Sequence, residues 1–146
     1  MDKRICALAL GLAGSILLTA PAMADLERTS PAEGAEVYFI SPEDGATLTG
    51  SVTVRMGLRG MGVAPAGANL PDTGHHHLLV NMSLEEVDLD APLPFTDDTH
   101  HFGGGQTEGT LELEPGTYTL QLLFMDYRHV SFDPPLASDV ITITVE

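Results

Sequence analysis

From Tyr118 to Met125 the chain alternates. Tyr118, Leu120, Leu122 and Phe124 fall on one side and Thr119, Gln121 and Leu123 on the other, the two-residue period of a strand with one face in a core. The same period places Val52, Val54 and Met56 against Thr53 and Arg55 within Ser51 to Leu58. It pairs Leu111 with Leu113 within Thr107 to Leu113, and turns Thr142 and Thr144 outward within Val140 to Val145. Val37 to Ile40 is a shorter β-prone run, and His75 to Met82 also reads as a strand. Turn clusters separate these runs, notably Ser41-Pro42-Glu43-Asp44-Gly45 and Glu114-Pro115-Gly116. Two stretches lack any period and read as long loops: the Gly- and Pro-rich segment Gly57 to Gly74, and Phe95 to Gly105. Ser83 to Asp90 fits one helical turn before Pro92 and Pro94 stop it.

About seven short strands without a long helix predict an all-β fold, an immunoglobulin-like or fibronectin-like two-sheet sandwich with two long loops. Leu113 to Tyr118 matches the tyrosine corner of such sandwiches, in which a Tyr hydroxyl ties back to the backbone just upstream. The alternative for Tyr118 is an ordinary inward aromatic, and both are structural roles.

The N-terminus changes the picture of where this domain works. Lys3 and Arg4 precede an apolar run from Ile5 to Leu18, followed by Ala22-Met23-Ala24, the small-x-small pattern of a secretory signal cleaved after Ala24. The run is shorter than the roughly 20 residues that span a bilayer, and Asp25 rather than Cys follows it. The expected organisation is a signal peptide over 1–24, a flexible leader over 25–35 and a single domain over 36–146. The product is expected to be periplasmic or secreted, with no stable membrane insertion. Cleavage would discard Cys6, the only cysteine, and with it any disulfide or thiolate site. It would also move the formal charge from −15 to −16 by removing Asp2, Lys3 and Arg4. Such a surface repels phosphate backbones and anionic lipid, so no nucleic acid partner is expected, while cations and a basic partner stay open. Excess acidity is also simply a device for solubility, as in a saline habitat.

The concentrated chemistry is histidine. All six histidines, at 75, 76, 77, 100, 101 and 129, lie beyond the signal. On a strand His75 and His77 share one face and His76 the other, and a two-residue spacing sets two imidazoles roughly 6–7 Å apart, within reach of a single ion. His101 stands beside Gly103-Gly104-Gly105, and His129 lies in the loop after Met125. If those segments meet the His75 strand, His75, His77, His101 and His129 converge, with Asp97, Asp126 or Asp133 as neighbours. The candidate metal ligands are therefore His75, His76, His77, His101 and His129. The cofactor expected is a divalent metal ion, copper or zinc, since neutral imidazole suits both and no thiolate is left. Met61 is the one methionine outside a strand that offers a thioether; Met56, Met82 and Met125 read as strand positions. The competing reading is a hydrogen-bond network in which the histidines tie two long loops together inside an envelope interaction module with no metal.

Other chemistries are poorly represented. The glycine triplet is followed by a strand and no Lys, so it is no phosphate cradle, and it suits a close backbone approach beside His101. The acidic pairs lack the spacing of a calcium loop, and no Gly-x-Ser-x-Gly elbow is present, so an enzyme is not expected.

The segments Gly62-Val63-Ala64-Pro65-Ala66-Gly67, Thr73-Gly74-His75-His76-His77-Leu78-Leu79, His101-Phe102-Gly103-Gly104-Gly105-Gln106-Thr107-Glu108 and His129-Val130 with Pro134-Pro135 resemble a bacterial exported family, domain of unknown function 4399. The resemblance runs from about residue 36 to 145 and implies no activity. The family pattern carries His-x-His before Phe-Gly-Gly-Gly, where this chain has Thr99 and His101 around His100, and a further His where this chain has Phe132. If the family's histidines form one metal site, this member has lost two ligands and kept His75, His76, His77, His101 and His129.

Overall fold

Leu120, Leu122 and Phe124 are fully buried, as their alternation requires, and the rest of the fold is arranged around the strand that carries them. The computed structural model describes residues 26–146, so the expected signal peptide lies outside the described residues. Ten strands follow in chain order: β1 (Glu36–Ser41), β2 (Thr47–Leu48), β3 (Val52–Arg59), β4 (Gly62–Val63), β5 (Thr73–Val80), β6 (Thr99–His101), β7 (Glu108–Leu111), β8 (Gly116–Met125), β9 (Ser131–Ala137) and β10 (Ile141–Val145). A 3-10 turn at Leu84–Glu86 is the one helical element among the described residues. The alternating runs became β1, β3, β5, β7, β8 and β10.

Three strands form one sheet in the order β1-β3-β7, and the larger sheet runs β2-β10-β8-β5-β4. β8 pairs with β5 along one edge, and its other edge is shared by β10 and β9. The far edge of β5 is shared by β4 and β6. The two sheets enclose a core of Val37, Val52, Val54 and Met56 from one side and Leu78, Leu122, Phe124 and Ile143 from the other. The expected sandwich is therefore present, with more strands than the seven anticipated. The Tyr118 hydroxyl donates to the Glu114 carbonyl at 2.8 Å, which closes a tyrosine corner.

Every residue of β5 after Thr73 is buried, on both faces of the sheet. Its inner face belongs to the main core. Its outer face is roofed by the 81–98 segment, where Leu93 joins Leu79, Leu123 and Met125 in a second apolar cluster edged by Met82, Leu84, Val87 and Leu89. This roof explains why Leu123, on the side of β8 turned away from the core, is apolar. His75 and His77, on the same outer face, are buried too.

Residues 26–35 form no strand but lie against the domain. Arg28 donates to the carbonyls of Ser131 and Phe132, and the Asp133 N–H donates to Thr29 at 2.9 Å.

Candidate metal centre

Four imidazoles meet on the outer face of the larger sheet. His75 and His77 come from one face of β5, as the strand period requires, with ring centroids 4.7 Å apart. His101 is directly opposite His77 in the β5–β6 register, which sets their rings 5.1 Å apart. His129 comes from the β8–β9 connection, and its ring lies 4.8 Å from those of both His75 and His101. One nitrogen from each of the four can be chosen so that all lie within 4.8 Å of one another. Imidazole nitrogens around a tetrahedral zinc are separated by about 3.3 Å, and trans nitrogens around a square-planar copper by about 4 Å, so side-chain rotations that draw the nitrogens together by about 1 Å would close this set on an ion.

His101 is read from the sequence as part of a loop, but it sits on a strand. A three-residue strand is too short to show a period, and it forms here because the free edge of β5 accepts it. Gly103 makes room for the ring: a Cβ there would overlap the His101 imidazole. The close approach expected at the glycine triplet is this contact. His129 adopts a left-handed backbone, with φ of 66°, and its Nε2 lies 3.0 Å from Nε2 of His101.

The other candidates fall elsewhere. His76 points into the main core, its ring packed edge-on against Phe124 at 5.0 Å, and is not among the four. His100 lies opposite Leu78 and so on the face away from the cluster. Asp97 and Asp133 are exposed and outside the group. Asp126 is buried beside it, bound to Arg128. Met61 packs against the main core. The sequence reading overlooked Phe95, an exposed aromatic whose ring lies 5.0 Å from His101 and 5.9 Å from His129. A lone aromatic in a loop of Pro, Thr and Asp was the available signal.

The electrostatics favour neutral rings. Burial lowers His75 to about 4, with His129 and His101 adding repulsion and Asp126 partly opposing it. Burial lowers His77 further, to about 2, reinforced by His75, His101 and His129. His101 is also lowered, by burial and then by His129. His76 is lowered to about 4 by burial alone. A neutral imidazole has a free lone pair, the form that ligates metal. Neither ring nitrogen of His75 or His77 has a hydrogen-bond partner among the described residues. Buried polar atoms in that state cost about 1–3 kcal/mol each unless something else engages them.

A family model described as a domain of unknown function, DUF4399, matches residues 54–146. No curated protein matches the chain. Among solved structures, the chain is similar to an endo-β-1,4-mannanase from Thermotoga petrophila at 16% identity and a TM-score of 0.44, covering 77% of this chain and 20% of that one. It is also similar to fibronectin(III)-like modules of CbhA from Clostridium thermocellum at 9% identity and a TM-score of 0.41, covering 76% of this chain and 45% of that one. The chain thus spans less than half the length of either structure, and the likeness concerns the fold alone.

Proposed function

The chain belongs to the DUF4399 family of domains of unknown function, and from that premise we propose that it is an exported protein that binds one divalent transition metal ion, copper or zinc, through His75, His77, His101 and His129. The observation that carries this reading is the convergence of four imidazoles, one nitrogen of each within 4.8 Å of the others; His75 and His77 are fully buried with no protein partner for any ring nitrogen, a state His76 shares on the other face, away from the group. An ion among the four rings engages one nitrogen of each. The donor set is nitrogen only, which suits copper and zinc and disfavours calcium or magnesium. The role is storage or handling of the ion, since the site is roofed and no nucleophile or carboxylate stands among its four ligands.

The rival reading, a metal-free hydrogen-bond network, is favoured by the single contact between His101 and His129. It leaves the ring nitrogens of His75 and His77 without partners. Equilibrium dialysis of the protein lacking residues 1–24 against Cu(II) and Zn(II) separates the two. One ion per chain at micromolar free metal or below is expected, and replacing His75 and His77 together with Ala is expected to abolish uptake while the β-sheet circular dichroism persists. No uptake below about millimolar metal, or unfolding of the double variant, would favour the network.

A further inference from the structure

His129 is the one ligand of the four that no strand carries, and it sits in a left-handed backbone conformation that is uncommon for a non-glycine residue. The loop around it is organised by a single carboxylate. Asp126 Oδ1 accepts from the backbone N–H groups of Arg128 at 2.8 Å and Val130 at 3.0 Å, the two residues flanking His129. Asp126 Oδ2 accepts from Arg128 Nε at 2.9 Å and pairs with its Nη2 at 2.7 Å. The Asp126 backbone closes the same loop, its N–H donating to Val130 at 3.0 Å and its carbonyl accepting from the His129 N–H at 3.0 Å. Asp126 is also anchored at its base, because the preceding residue, Met125, pairs with His75 in the β5–β8 register. Arg128 extends the frame outward by donating to the Glu27 carbonyl at 2.9 Å.

We infer that Asp126 is the positioning residue of the metal centre: its carboxylate folds the 126–130 loop so that the His129 imidazole is delivered to His75, His77 and His101. The consequence for metal affinity rests on the proposed function; the placement of His129 does not. Asp126 is a carboxylate outside the four-imidazole group that holds a ligand from behind, through the backbone N–H groups on either side of it, with its charge paired to Arg128. Partners bonded directly to the ring of a metal ligand typically change affinity by about 10–100-fold when removed, which sets the scale for a group that fixes the ligand through its backbone. Asn at this position keeps one carbonyl oxygen for the two flanking N–H groups but loses the charge and the pairing with the Arg128 guanidinium. Ala loses all of these.

The test compares Asp126→Ala, Asp126→Asn, His129→Ala and the double variant Asp126→Ala with His129→Ala, using Zn(II) and Cu(II) alone as probes in chelator competition. Affinity is expected to fall about 10–100-fold in Asp126→Ala and by less in Asp126→Asn. The double variant should bind as His129→Ala does, because Asp126 acts through His129. A double variant much weaker than His129→Ala would overturn the assignment. In the metal-free protein, imidazole ¹H–¹⁵N spectra should show the His129 and His101 signals displaced in Asp126→Ala while those of His76, on the other face, stay in place. Unmoved His129 and His101 signals in folded Asp126→Ala would sink the inference whether or not the wild type takes up metal. Absence of metal uptake by the wild type with displaced signals would sink only the proposed function. Should Asp126→Ala not fold, Asp126→Asn carries both readouts, and no change in either overturns the assignment.

Discussion

Lowering the pH of the metal-free protein from 7 to 5 is expected to drain its stability through the three consecutive histidines of β5. His75, His76 and His77 are 0%, 0% and 1% exposed. Burial lowers them in the folded chain to about 4, about 4 and about 2, against 6.5 for a free imidazole. A group whose folded pKa is depressed in this way takes up its proton on unfolding. Its contribution is fully present above 6.5 and is lost as the pH falls toward the folded value. At pH 5 each of the three costs about 2 kcal/mol, since one unit is worth about 1.4 kcal/mol. Together they cost about 6 kcal/mol, comparable with the 5–15 kcal/mol that holds a typical domain together.

Relief of repulsion on the acidic surface acts in the opposite direction, so the comparison must isolate the histidines. His76→Leu does this, because the ring it removes contacts Phe124 in the apolar core and lies outside the four-imidazole group. Urea unfolding in the presence of chelator at pH 7, 6 and 5 gives the pH dependence of stability for both proteins. The wild type should lose stability steeply below pH 6.5, and the variant should lose about 2 kcal/mol less between pH 7 and 5. Equal pH dependence in the two proteins would refute the claim that His76 is buried as a neutral imidazole.

Two further outcomes follow from side chains around the centre. Gly103→Ala places a methyl where the His101 ring stands, so the ring must swing out of the group; metal affinity measured by competition should drop at least about 10-fold while the fold survives, and unchanged affinity would remove His101 from the ligand set. Phe95→Ala uncovers the half-buried His101 and His129; stopped-flow transfer of the ion to a chelator should be faster with little change in the number of ions bound, and an unaltered rate would show that the ion does not leave past Phe95.

The parts of the fold legible in the sequence are those with enough residues to show a period. β8, with Leu120, Leu122 and Phe124 inward, and β3, with Val52, Val54 and Met56, declare themselves by alternation. β9 does not, because Pro134 and Pro135 interrupt it; prolines are tolerated there because they fall in the register shift between Leu136, opposite Phe124, and Ser131, opposite Met125, where β9 does not pair with β8. β2, β4 and β6 have two or three residues each, too few for any pattern. Their existence depends on free sheet edges that only the assembled fold supplies. The same limit governs the site. That His75 and His77 share a face while His76 turns away follows from the strand period alone. That His101 lies opposite His77 depends on β6, and that His129 reaches them depends on a loop wound around Asp126. Both are contacts between residues far apart in the chain, set by sheet order rather than by local sequence.

X-ray absorption at the metal edge of protein loaded with one equivalent of Cu(II) or Zn(II) tests the central claim most directly. Four nitrogen neighbours at about 2.0–2.1 Å are expected, with the outer-shell scattering of imidazole rings, no sulfur, and the loss of one of those rings in His129→Ala. A shell dominated by oxygen, a sulfur neighbour near about 2.3 Å, or a spectrum unchanged in that variant would contradict it.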